Sequence, residues 1–210
     1  MNQVRVSFEQ YRYEYYTVMK QWKDLQREAS KRIMHYHDAN YLNLSLAEQG
    51  VLLDHLFTYP QYGPQSLVYI PNNKSADVRL AHLWFAMGNI AAAQNVAFNS
   101  LFALNGYNPT MLQMLVRIEL MRGNYLVALK YIPCWKKQCI MPVGPLLNVV
   151  FLFDDEAVEQ DPSLGTGRAS FPLDDSFVLL ASPMDDLYKI VAVNPANSNA
   201  MQYALAYLLL

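Results

Sequence analysis

The sequence is short of charge, of cysteine and of long apolar runs. Only 16% of its 210 residues are charged, against 53% that are apolar, which excludes intrinsic disorder and points to a sparsely charged, partly apolar surface. Such a surface implies something that covers it. Two cysteines without a CxxC exclude a disulfide framework and fit a reducing compartment. The best apolar stretch, residues 139–153, falls short of the roughly 18 to 20 residues a membrane helix needs and is broken by Pro142, Gly144, Pro145 and Asn148. The opening MNQVRVSFEQ has no apolar h-region, so it does not read as a secretory signal. The chain as given is expected to be soluble, in a compartment the sequence does not assign.

Signatures of chemistry are equally scarce. There is no GxSxG and no HExxH, and GTGR at 165–168 is too short for a phosphate loop because no GKS or GKT follows. His35 and His37 form the one close imidazole pair, with Asp38 beside them, but a spacing of two points the rings to different sides of a helix. They are expected to be exposed at a helix end, favourably placed in the helix dipole. His55 and His82 read as core-edge residues. Cys134 and Cys139, five apart, do not align on a helix and read as buried and inert. The acidic pairs Asp154-Asp155-Glu156, Asp174-Asp175 and Asp185-Asp186 lack the alternation of a calcium loop. No cofactor and no metal are expected.

The charge that is present is divided unevenly. Residues 1–140 carry a balance of +5 and residues 141–210 a balance of −7, where Arg168 and Lys189 are the only bases. The two parts attract each other, and a pI near 6.1 argues against nucleic acid as a partner.

A repeat organises the chain. Gly88-Asn89 and Gly123-Asn124 lie 35 residues apart, as do Ala93 and Ala128, and Ala81 and Val116. A glycine that ends one helix in the left-handed region, followed by a small residue that allows close approach, predicts a helical hairpin. Asn108-Pro109 and Asn194-Pro195 supply helix-start markers. Gly50 predicts a third hairpin turn and Lys20-Gln21 a fourth, in competition with one continuous N-terminal helix. On such a helix Phe8, Tyr11, Tyr15, Val18, Trp22 and Leu25 share one face. Tyr13 and Tyr16 fall off that stripe and are the candidates for a partner surface. Ser182, with Asp185 and Asp186 behind it, predicts a further helix start.

The expected fold is all-α: stacked antiparallel helical hairpins over 1–140, an irregular acidic Pro/Gly-rich insertion over 141–193, and at 194–210 the first helix of an incomplete terminal hairpin. The units with Gly88/Ala93 and Gly123/Tyr125/Ala128, followed by Asn-Pro, resemble divergent tetratricopeptide-like repeats. The strings NYLNLSLAEQGVLLDHLF, MGNIAAAQNVAFNS, GNYLVALKYI and NPANSNAMQYALAYLLL resemble the soluble C-terminal part of an uncharacterised family of predicted bacterial multi-pass membrane proteins. That resemblance implies a membrane-associated parent and supplies no activity.

The function expected is therefore non-catalytic: a protein-interaction module whose partner is a protein segment or a membrane-protein domain. Trp84 and Arg117, large or charged on otherwise apolar first helices, join Tyr13 and Tyr16 as candidate partner-binding residues. The alternative is a hydrolase that uses the clustered carboxylates of residues 154–186.

Overall fold

Four turns share one backbone geometry, and they set the course of the chain. In the computed structural model, which describes residues 11–31, 35–69, 78–103, 108–138, 151–169 and 182–210, positive φ occurs at Lys20 (53°), Gly50 (76°), Gly88 (84°) and Gly123 (71°). At each turn the next residue's N–H reaches back five positions: Gln21 to Tyr16 O, Val51 to Leu46 O, Asn89 to Trp84 O and Asn124 to Glu119 O, at 2.8–3.0 Å. The left-handed residue itself bonds three positions back, to Thr17, Ala47, Phe85 and Leu120. This double bond is the Schellman ending of a helix, and it favours glycine because only glycine escapes the Cβ clash. A helix thus ends in a left-handed turn at each of the four predicted positions, Lys20 included.

The helices between the turns follow from spacing and caps. They are α1 (11–18), α2 (Trp22–Ser30), α3 (Tyr36–Glu48), α4 (Leu52–His55), α5 (Val78–Met87), α6 (Ile90–Ala103), α7 (Pro109–Met121), α8 (Tyr125–Gln138), α9 (Asp155–Gln160), α10 (Pro162–Ala169), α11 (Pro183–Val193) and α12 (Ser198–Leu209). Asn108 caps α7 by accepting from Met111 N, with Pro109 in the first turn. Ser182 caps α11 in the same way, and Asn197 caps α12. No strand occurs among the described residues; the backbone is helical apart from turns and one isolated bridge at Tyr62.

The chain divides into two compact units, one of residues 1–70, 82–89 and 179–210, the other of 71–81 and 90–178. In the first, α3 is the centre: every residue from Ala39 to Ala47 is buried, which is what a helix enclosed on all sides requires. It packs on α2, α4 and α12, and α12 packs on α11. Asn40 and Asn43 are buried with their amides donating to Gln65 O (2.8 Å) and Ser66 O (3.0 Å), so α3 also holds the loop that follows α4. In the second unit α7 is central and packs on α6, α8 and α10, while α9 packs on α10. Buried Glu119 of α7 accepts from Gln94 of α6 (2.7 Å) and from Asn124 at the start of α8 (2.9 Å), so one carboxylate ties three helices.

Two expectations change. The N-terminal face does not continue across residue 20, because the left-handed Lys20 turns the chain: Tyr11 and Tyr15 are exposed, whereas Tyr13 and Thr17 are buried with Leu25 and Ala29, and Phe8 lies outside the described residues. Within the stretch that reads as irregular, 155–160 and 162–169 are helical. Asp154 caps the first by accepting from Ala157 N, and Asp161 caps the second by accepting from Ser163 N and Leu164 N.

The odd turn yields a test. A lysine at φ 53° carries a penalty that glycine lacks, so Lys20→Gly raises stability by about 1 kcal/mol, whereas Gly123→Ala lowers it by a similar amount. Urea midpoints at unchanged slope check both.

Candidate functional site

Helix ends leave carbonyls without intrahelical donors, and in the second unit a guanidinium from far along the chain satisfies them. Arg168, at the end of α10, donates from Nε to Met121 O (3.0 Å) and from Nη2 to Leu120 O (3.2 Å), the last turn of α7. A cation at a helix C-terminus also complements the dipole. The same guanidinium contacts Asp155 Oδ1 at 2.8 Å and Glu159 Oε1 at 3.4 Å, and donates to Tyr125 Oη at 3.2 Å. Tyr125 in turn donates to Asp155 at 2.6 Å. The tyrosine hydroxyl and the guanidinium hold the Asp155 carboxyl below the usual carboxylate range, while burial and the Asp155 carboxylate push the Tyr125 phenol up.

The glycines of GTGR explain how Arg168 gets there. A Cβ on Gly165 would lie 2.2 Å from the backbone oxygen of Glu159, and one on Gly167 would lie 2.5 Å from Met121 Cε. The first lets α10 fold back on α9; the second lets α10 lie flat on α7. One helical turn earlier in the contact, Arg117 of α7 donates to Ser163 Oγ at 2.5 Å. The motif is a packing device.

In the first unit amides do the same work. Asn197 donates to Met87 O (3.0 Å), Asn199 to Ala86 O (3.3 Å) and Glu48 Oε1 (3.0 Å), and Gln202 to Ala47 O (3.3 Å) while accepting from Leu52 N (3.1 Å). Thus α12 completes the ends of α5 and α3 and the start of α4. Gly88 is required twice, for its φ and because a Cβ would sit 2.6 Å from Asn197 Nδ2. Nearby on the fold's own elements are two costly groups: Tyr203, fully buried, and Asp186, 1% exposed, whose Oη and Oδ2 find no hydrogen-bond partner among the described residues. Burial pushes the Tyr203 phenol up, and burial raises the Asp186 carboxyl to about 6.

The residues singled out from sequence are dispersed. Tyr13 is buried against Tyr41, with ring centroids 5.3 Å apart, and Trp84 is 1% exposed; both are core, because the faces that carry them point inward. Tyr16 is half-buried beside Tyr15. Arg117 is bonded to Ser163, and both lie in the second unit. His35 is exposed at a helix end as expected, but at the N-terminus of α3, where its ring accepts from His37 N, and not at the C-terminal end that favours a cation. His55 is exposed rather than at the core edge, and Cys134 is exposed rather than buried. Cys139, Asp174 and Asp175 lie outside the described residues. Among the described residues no group of three or more His, Cys, Asp or Glu is placed to hold a metal ion, and no helix is long and apolar enough to cross a membrane.

Among the described residues these elements define an all-helical architecture of helices packed in adjacent pairs. A family of unknown function (DUF6057) matches residues 5–210, and the chain belongs to that family. Neither a curated protein nor a solved structure matches it.

Two outcomes are expected. Arg168→Ala lowers stability by about 2 kcal/mol and Arg168→Lys does not restore it, since a single ammonium cannot bridge two carbonyls, a carboxylate and a phenol; chemical denaturation measures this. Asp186 binds its proton more tightly folded than unfolded, so its contribution is full below about pH 4 and is lost as pH rises through about 6. Asp186→Asn therefore flattens the fall in stability between those values and leaves the variant about 2 kcal/mol more stable at pH 7, read from urea midpoints across pH.

Proposed function

We propose that the chain is a non-catalytic, tetratricopeptide-like protein-interaction module. The observation that carries this reading is the run of four Schellman turns, each ending one helix and starting its neighbour, which is how a hairpin array is built. Arrays of this kind hold protein segments through many small contacts spread over helix faces.

Apolar faces left open on individual helices support the same reading. On α8, Leu126 is 68% and Leu129 45% exposed, and they stand on one side with Lys130, Pro133 and Lys137. On α12, Leu205, Leu208 and Leu209 are exposed and the helix carries no charge. Such faces fit a partner that covers apolar surface, a protein segment or the membrane-protein domain that the family resemblance implies. The acidic side chains favour structural work over catalysis. Asp154 and Asp161 cap helices, and Asp155 is engaged by Arg168 and Tyr125.

Affinity capture from a native lysate, with an unrelated helical protein as control, tests the module. A defined protein is expected on the wild-type chain, confirmed by reciprocal capture, with retention about tenfold lower for Leu126→Glu/Leu129→Glu. The reading fails if the control retains the same proteins or the substitutions change nothing. It also fails if the chain hydrolyses an ester, peptide or glycoside substrate and Asp155→Asn abolishes turnover.

A further inference from the structure

The α7–α8 hairpin already holds a segment from elsewhere in its own unit. Residues 108–138 carry five bases, Arg117, Arg122, Lys130, Lys136 and Lys137, against the single acid Glu119, which is buried and bonded to Gln94 and Asn124. Residues 151–169 carry the opposite pattern, five acids against the single base Arg168. The two stretches meet where α10 packs on α7. Their junction is polar: Arg117 to Ser163, Tyr125 to Asp155, and Arg168 to the carbonyls of Leu120 and Met121. The ring of Phe153 lies 5.4 Å from that of Tyr125.

Apolar anchoring of the segment is slight. Of residues 151–169 only Val158 and Leu164 are buried, whereas α7 buries nine of its thirteen residues. An element held by a few charge-assisted bonds and two apolar side chains opens far more readily than the helices beneath it. It is also the kind of contact that a segment of like composition on another protein reproduces.

We propose that 151–169 is an intramolecular occupant of the α7–α8 surface, and that this surface takes in trans an acidic, arginine-bearing helix from a protein partner. The incoming helix delivers a carboxylate to Tyr125 and a guanidinium to the carbonyls that end α7. This deepens the reading of the chain as an interaction module and rests on it. Tethering gives the resident segment an effective concentration in the millimolar range, so the closed chain resists a free competitor.

The test uses the full 210-residue chain and a fluorescein-labelled peptide of residues 151–169. Gly167→Glu with Arg168→Ala lifts the resident segment and leaves every residue of α7 and α8 in place. Fluorescence anisotropy is expected to show the peptide binding this opened chain about a hundredfold more tightly than the wild type. Adding Arg117→Glu to the opened chain weakens binding about tenfold. Amide exchange across 155–168 is expected to quicken in the opened chain while α7 and α8 stay protected.

Three results overturn the proposal: an opened chain that stays protected yet ignores the peptide, a wild type that binds it equally well, or loss of protection throughout α7 and α8. The last would make the segment an integral part of the fold. The capture experiment fails independently. A partner retained through Leu126 and Leu129 without peptide binding keeps the module and removes the occupant, and peptide binding without a captured partner does the reverse.

Discussion

The carbonyls that a helix cannot satisfy for itself are the constraint on which this structure depends. Each hairpin needs an abrupt helix end, and the Schellman bonds at Gly50, Gly88 and Gly123 satisfy only part of the last turn. The remainder is met by side chains from later in the sequence. Gln202 serves the end of α3, Asn197 and Asn199 serve the end of α5, and Arg168 serves the end of α7. A buried carbonyl without a donor costs about 1–3 kcal/mol, comparable to a sizeable share of a domain's net stability. Segments that look appended in the sequence thereby supply donors to the ends of α3, α5 and α7.

Each unit solves the problem with a different chemistry. In the first, neutral amides on an uncharged helix donate to carbonyls, and the geometry of Gly88 admits Asn197 at close range. In the second, a charged guanidinium does the work and must be balanced, which is why Asp155 and Glu159 stand beside it. The amide solution is insensitive to salt and pH. The guanidinium solution is partly exposed to solvent and sensitive to both.

What was legible in the sequence was local. Glycine followed by asparagine marks a turn whatever surrounds it, and Asn108-Pro109 or Ser182 before acidic residues marks a helix start, whereas the same pair at Asn194-Pro195 follows α11 and α12 starts only behind Asn197. Even Lys20, a poor residue for its φ, was betrayed by its place in the spacing. What was not legible depends on partners distant in sequence. The three-four stripe through Tyr11, Tyr15 and Trp22 assumed a straight helix, and the turn at Lys20 exchanged its inside for its outside. GTGR is too short for a phosphate loop and shows no other role in the sequence, because its glycines are needed for contacts with Glu159 and Met121 that no spacing rule contains. Trp84 stood out for size and proved to be core for the same reason. The one sequence signal for these contacts is the polar set Asn197, Asn199 and Gln202 at the start of an otherwise apolar helix, since buried amides need acceptors.

The reach of those amides sets an order of assembly. Leu52 and Gln202 are 150 residues apart, and Met87 and Asn197 are 110 apart. On a ribosome adding about 5–20 residues per second, the α3 and α5 ends wait roughly 5–30 s for their donors. Until then the outer carbonyls of those two helix ends lack the side-chain donors that they have in the folded protein. The first unit is therefore closed from its far end, by the helix synthesised last among those that form it.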